Sequence, residues 1–148
     1  MKWQFEEKDT DELEVLIQKK SLDHEVQALI GHLGIFEQER PKVLPIKTAE
    51  EILLLTIAEL IAIEVEGTQL ILKTSKASYQ TTERLYKFKE RLNNPDFVQV
   101  SKQSLININH LEKLEASFSG NMLAVLTNKI KVQVSRRYLK VLEKQIGL

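Results

Sequence analysis

The chain has 148 residues, 43% of them hydrophobic, with no cysteine and with 21 Lys/Arg balanced by 21 Asp/Glu. That is enough apolar material for a folded core, while a disulfide framework and a thiolate metal site are excluded. No segment approaches the roughly 20 apolar residues of a membrane span, and the start at Lys2, Trp3, Glu6 and Glu7 is not a signal peptide, so the expected location is cytoplasmic.

The zero net charge conceals an asymmetry. Residues 1–41 carry five Lys/Arg against ten Asp/Glu, and residues 42–148 carry sixteen against eleven, so the two parts hold −5 and +5. From Thr127 onward Lys129, Lys131, Arg136, Arg137, Lys140 and Lys144 face the single Glu143. A local positive field is therefore available for phosphates.

The acidic first part reads as a ββα segment over 1–41. Strands are expected at Lys2–Glu6 and Leu13–Gln18, then a helix on which Leu22, Val26, Leu29, Ile30 and Leu33 recur at helical spacing. Ser21 or Asp23 caps its start, and Gly31 and Gly34 limit or end it. After a charged linker to Pro41, residues 42–148 form a β-rich domain. Its first strand, Lys42–Lys47, has Pro41 and Pro45 as edge signals. Ile61, Ile63 and Val65 alternate with Ala62, Glu64 and Glu66, and a turn at Glu66-Gly67-Thr68 leads into Gln69–Thr74, which predicts a hairpin. Lys76–Thr81 is a third strand. Thr81 or Thr82 caps a helix carrying Leu85, Phe88 and Leu92 on one face, and Asn93-Asn94-Pro95-Asp96 stops it. Strands follow at Phe97–Val100, Ser104–Ile108, Leu111–Ser117, Met122–Leu126 and Ile130–Val134, with turns at Ser119-Gly120-Asn121 and Thr127-Asn128. Ser135 caps a last helix bearing Leu139, Leu142 and Ile146. The fold class is α+β, mostly β, with antiparallel strands in small sheets, short helices and the small N-terminal ββα segment.

A search for catalytic chemistry finds none. His24 and His32 stand eight residues apart with Gly31 between them, and neither that spacing nor a neighbouring carboxylate makes a recognisable metal or acid–base site; His110 lies in a turn and reads the same way. Ser117-Phe118-Ser119-Gly120 lacks the frame of a nucleophile elbow, and five glycines form no phosphate loop. Glu64 and Glu66 share a strand face and read as a solvated rim. The expectation is a non-enzyme without cofactor or metal.

The positive features are loops. Lys102-Gln103, Ser119-Gly120-Asn121 and Ser135-Arg136-Arg137 bring cations and amides to turns and to a helix start. Lys and Arg neutralise phosphates and reach guanine O6 and N7, Gln reads adenine, and a helix N-terminus offers free N–H groups.

The run FVQVSKQSLIN over residues 97–107 and the run VSRRYL over residues 134–139 together resemble the two signatures of the LytTR DNA-binding family, and the resemblance covers residues 42–148. It implies small antiparallel sheets whose loops enter successive major grooves of duplex DNA without a recognition helix. Thr68, Lys102 and Arg136 are the implied contacts of the three loops, with Gln103, Asn121 and Arg137 beside them. Family members often carry His or Asn where this chain has Thr68 and Lys102, which leaves base preference open. Many relatives have a phosphorylated receiver domain, for which 41 residues are too few. The acidic segment instead resembles that of bacterial stand-alone members encoded beside small membrane proteins that restrain the regulator. The resulting expectation is a transcription regulator that binds DNA as a homodimer or as paired copies, with residues 1–41 serving dimerisation or regulation and a small membrane-protein inhibitor as a further partner. The alternative is a protein-interaction module of the same fold that lacks sequence-specific DNA binding.

Overall fold

A computed structural model of the chain describes residues 1–37 and 42–148, which fall into two separate units. The first contains one helix, α1 (His24–Glu37). Of the two expected caps it uses Asp23, whose Oδ1 accepts the Val26 N–H at 3.1 Å. Gly31 and Gly34 lie inside the helix, which continues to Glu37. A helical glycine costs about 1 kcal/mol relative to alanine but ends a helix only where the chain turns left-handed, and neither residue does.

The strands expected at 2–6 and 13–18 are absent, since residues 1–23 hold only bends. Alternation at Trp3, Phe5, Leu13 and Val15 is a strand pattern, but two strands alone are marginal in water and need a third layer to cover their apolar face. No such cover is present among the described residues, and Trp3 and Phe5 are 86% and 84% exposed.

Lys19 pairs with Asp23 at 2.6 Å and with Glu25 at 3.2 Å. The hydrogen bond from Lys19, then the Val26 N–H, holds the Asp23 carboxyl below its ordinary value of 3.8. A carboxyl lowered in the folded state stabilises above its unfolded pKa and loses that contribution as pH falls through the folded one. The α1 backbone amides are therefore expected to lose helical shifts as pH drops below 3.8. Asp23→Ala should have the frayed start already at neutral pH and show no such step by NMR.

The second unit runs β1 (Val43–Lys47), β2 (Ile52–Thr56), β3 (Leu60–Glu66), β4 (Gln69–Thr74), β5 (Ser78–Thr81), α2 (Leu85–Leu92), β6 (Phe97–Ser101), β7 (Ser104–Asn107), β8 (Leu111–Ala116), β9 (Met122–Leu126), β10 (Ile130–Val134) and α3 (Arg136–Gln145). All pairings are antiparallel. The strands form a central sheet in the order β5-β4-β3-β7-β6, a three-stranded sheet β10-β9-β8 and a hairpin β1-β2. This is the mostly-β arrangement of small sheets expected from the turn spacing. β2 is not an expected strand: its run ILLLT lacks alternation, and Ile52 and Leu54 remain largely exposed.

The central sheet is covered on both faces. On one face Leu60, Ile63, Leu70, Leu72, Phe97 and Leu105 pack with Leu44, Ile46, Leu55 and Ile57 of the β1–β2 region and with Phe88 and Leu92 of α2. On the other, Ile61, Ala62, Val98, Val100 and Ile106 pack with Ala124, Leu126, Val132 and Val134 of the second sheet and Leu142 of α3. Two-sided burial explains why β3 begins as the unbroken apolar run Leu60–Ile63.

Strict alternation would place Ile61 with Ile63 and Val65. A bulge between Leu60 and Ala62 inserts Ile61 as an extra residue and sends both Ile61 and Ala62 to the second face. The bulge leaves a carbonyl to satisfy, and buried Asn107 meets it: Nδ2 donates to Leu60 O at 2.9 Å, while Oδ1 accepts the Asn109 N–H at 3.0 Å. Neither Thr81 nor Thr82 caps α2, whose N-cap is Arg84. The Thr81 hydroxyl instead donates to Lys47 O at 2.9 Å, joining the β1–β2 hairpin to the sheet edge. Asn93 ends α2 as expected, in the left-handed conformation at φ 40°.

Candidate nucleic-acid interface

Antiparallel pairing sorts the turns of this domain to two ends. The turns β3–β4 (67–68), β6–β7 (102–103) and β8–β9 (117–121) and the junction from β10 to α3 all fall at one end. The turns before β3, between β4 and β5, before β8 and between β9 and β10 fall at the other. Thr68, Lys102, Gln103, Asn121, Arg136 and Arg137 thus share one end. Helices α2 and α3 both begin there too, since β5 and β10, which lead into them, run toward it. Two helix N-termini add positive potential to the same surface.

Hydrogen bonds hold these turns together in a row. The β3–β4 hairpin is closed by a two-residue loop in which Gly67 takes φ 61°, a conformation that suits glycine at a tight turn. Val65 N–H donates to Gln103 O at 2.8 Å, tying this hairpin to the Lys102-Gln103 turn. That turn is braced by the Ser101 hydroxyl, which accepts the Gln103 N–H at 3.1 Å. Ser135 N–H donates to Val100 O at 2.9 Å, which joins the start of α3 to β6, the strand that leads into the Lys102-Gln103 turn. Ser135 occupies the N-cap position of α3 but its hydroxyl makes no cap bond. Asn121 does so from the β8–β9 turn, with Oδ1 accepting the Arg136 N–H at 3.1 Å.

Lys102, Arg136 and Arg137 are exposed, and none makes an ion pair among the described residues. Nearby acids are partly neutralised: Glu64 pairs with Lys73 at 2.6 Å, and Glu83 with Arg91 at 2.8 Å. Not every cation counted in the sequence contributes. Lys129 sits in the β9–β10 turn, at the far end. His110 is there as well, with Nε2 2.7 Å from Ala58 O and Nδ1 2.9 Å from the Thr127 hydroxyl. A ring nitrogen facing a carbonyl must carry the proton, so His110 clasps two turns, as a structural histidine would. No group of three or more potential metal ligands is present among the described residues, and no described helix is long and apolar enough to cross a membrane.

Sequence reasoning missed one wall of the surface. An open groove is lined by Thr68, Lys102 and Gln103 together with Tyr86, Lys89 and Gln99. Gln99 Oε1 accepts from Lys89 Nζ at 3.3 Å, and its Nε2 donates to Ser101 O at 3.0 Å. The available signal was Tyr86, an aromatic residue on the polar face of a short helix and 61% exposed.

The family model of the LytTr DNA-binding domain matches residues 50–147. The sensory transduction protein LytR of Staphylococcus epidermidis is 33% identical over 112 residues, covering 76% of this chain and 44% of that protein. The transcriptional regulatory protein LytR of Staphylococcus aureus is 28% identical over 127 residues, covering 85% and 50%. The chain thus spans about half the length of these curated relatives. Among solved structures, a LytTr DNA-binding domain from Bacillus cereus shares the fold with a TM-score of 0.65 at 18% identity, over 73% of this chain and 99% of that one. With the family model spanning two thirds of its length, and with the sheets and turns that the fold requires, the chain belongs to the LytTr DNA-binding domain family.

Proposed function

We propose that this chain is a transcription regulator that binds specific duplex DNA by placing the turns at one end of residues 42–148 into the major groove. The observation that carries this reading is the convergence of Thr68, Lys102, Gln103, Arg136 and Arg137 on that end, with its three cations making no ion pair among the described residues. A major groove about 12 Å wide admits a two-stranded β-ribbon, and the β3–β4, β6–β7 and β8–β9 turns are the ends of such ribbons. Lys102 and the two arginines supply phosphate neutralisation and guanine contacts, and the Gln103 amide supplies an adenine reader. Entry by turns is favoured over entry by a helix because α2 and α3 both start at this end and run away from it.

Binding of a duplex selected by the protein from a random pool should weaken steeply with salt, with a log–log slope of about −0.9 per phosphate neutralised. Fluorescence anisotropy across a salt series measures it. Affinity independent of salt, or equal for selected and scrambled duplexes, would reject the reading. The acidic residues 1–37, with Trp3, Phe5, Leu16, Ile35 and Phe36 exposed, are proposed to mediate pairing of two copies on DNA. Light scattering of the full chain and of residues 42–148 tests this, and equal monomer masses would remove it.

A further inference from the structure

The β8–β9 turn has two unusual features that both point at Arg136. Ser119 and Gly120 are consecutive residues with left-handed φ, 60° and 77°, in a turn that meets the start of α3. A Cβ built on Gly120 would lie 3.1 Å from Arg136 Nε and 3.2 Å from its Cδ, so the arginine side chain lies directly over the bare glycine. Independently, Asn121 Oδ1 accepts the Arg136 N–H at 3.1 Å, which engages one lone pair of that oxygen and ties the amide to the start of α3 instead of leaving it free to turn to the edge of an adenine. Ser135, the residue in position to cap α3, makes no side-chain cap bond.

We propose that Asn121 and Gly120 are positioning residues for Arg136: Asn121 caps α3 from the neighbouring hairpin, Gly120 gives the guanidinium a shelf to lie on, and neither reads a base itself. This rests on the DNA-binding reading above and deepens it, because it makes the Arg136 contact depend on a turn 15 residues earlier in the chain. A long flexible arginine loses less entropy on binding when its course is already set, and an acceptor at the helix start both satisfies an orphan N–H and fixes where the first helical side chain points.

The test is a double-mutant cycle read by anisotropy, with a duplex selected by the wild-type chain from a random pool and a scrambled duplex of the same composition. Asn121→Ala and Gly120→Ala should each weaken the selected duplex about tenfold, within the range of one base contact. In an Arg136→Ala background the same changes should cost less than about twofold, because the residue they act through is gone. Asn121→Asp keeps the acceptor, so it should retain the wild-type preference for selected over scrambled duplex, whereas a base-reading asparagine would lose that preference. In the free protein, hydrogen-exchange protection of the Arg136 amide should fall in Asn121→Ala and persist in Asn121→Asp. Full losses in the Arg136→Ala background, or Asn121→Asp as unselective as Asn121→Ala, would overturn the positioning role and leave the DNA-binding reading standing. A selection that enriches no duplex would overturn both.

Discussion

Phe88→Ala is expected to destabilise the domain by about 3–5 kcal/mol, the usual cost of emptying a fully buried aromatic site. Phe88 is 0% exposed and sits among Leu44, Ile46, Leu55, Leu60 and Leu92, where β1, β2, α2 and the central sheet meet. α2 has eight residues, too few to persist as an isolated helix, so it is held by the packing of Leu85, Phe88 and Leu92. The ring also carries the Arg91 guanidinium 5.7 Å from its centroid, and that arginine binds Glu83 and Pro45 O. Losing the ring therefore loosens the clamp between α2 and the β1–β2 hairpin as well as leaving a cavity. Tyr86→Ala, on the solvent face of the same helix, should change stability by less than about 0.5 kcal/mol. Urea titration of both variants measures the contrast. A Phe88→Ala midpoint near the wild-type value would mean that α2 is not anchored through this ring. Because Tyr86 and Lys89 line the groove beside Thr68 and Lys102, Phe88→Ala should also weaken DNA binding while touching no nucleotide.

Features with local causes were readable in the sequence. Gly67 announces a tight hairpin because few other residues accept its φ, Asn93 closes α2 in the left-handed conformation, and Ile130, Val132 and Val134 bury one face of β10 by simple alternation. What could not be read depends on register and on partners far along the chain. The bulge at Ile61 is fixed by pairing with β4, and its carbonyl is satisfied by Asn107, 47 residues away. Thr81 has the composition of a helix cap but is drawn to Lys47 O, 34 residues earlier. The alternating residues near the N-terminus have strand propensity and, among the described residues, no third layer to realise it. The candidate site shows the same division: the resemblance implied Lys102 and Arg136 as contacts, but the physical reason they share one end is the parity of the strands between them. That parity also puts Lys129 at the opposite end, although it counts toward the basic excess of the last 22 residues.

Arg136→Ala and Arg137→Ala are each expected to cost about 1–3 kcal/mol of binding to a selected duplex if the residue reads a base, roughly 5- to 150-fold in affinity. Both residues are exposed at the first turn of α3, so their removal should leave the denaturation midpoint close to wild type. The lysine replacements separate two roles that alanine confounds. A phosphate contact needs only positive charge, so arginine to lysine would keep both affinity and salt slope. A bidentate contact to guanine needs the planar fork, so lysine would keep the slope and lose preference for the selected sequence. The shelf at Gly120 commits Arg136 to one course across the surface, whereas none of the five glycines has Arg137 lying over it. The expectation is therefore asymmetric. Arg136→Lys should lower the ratio of selected to scrambled affinity about tenfold, within the range of a single base contact. Arg137→Lys should leave that ratio unchanged, and Arg137→Ala should weaken both duplexes alike and reduce the salt slope by about 0.9. Anisotropy on the four variants with the two duplexes decides it. Equal loss of selectivity in both lysine variants would assign base reading to the pair, and no loss in either would confine both arginines to the phosphates.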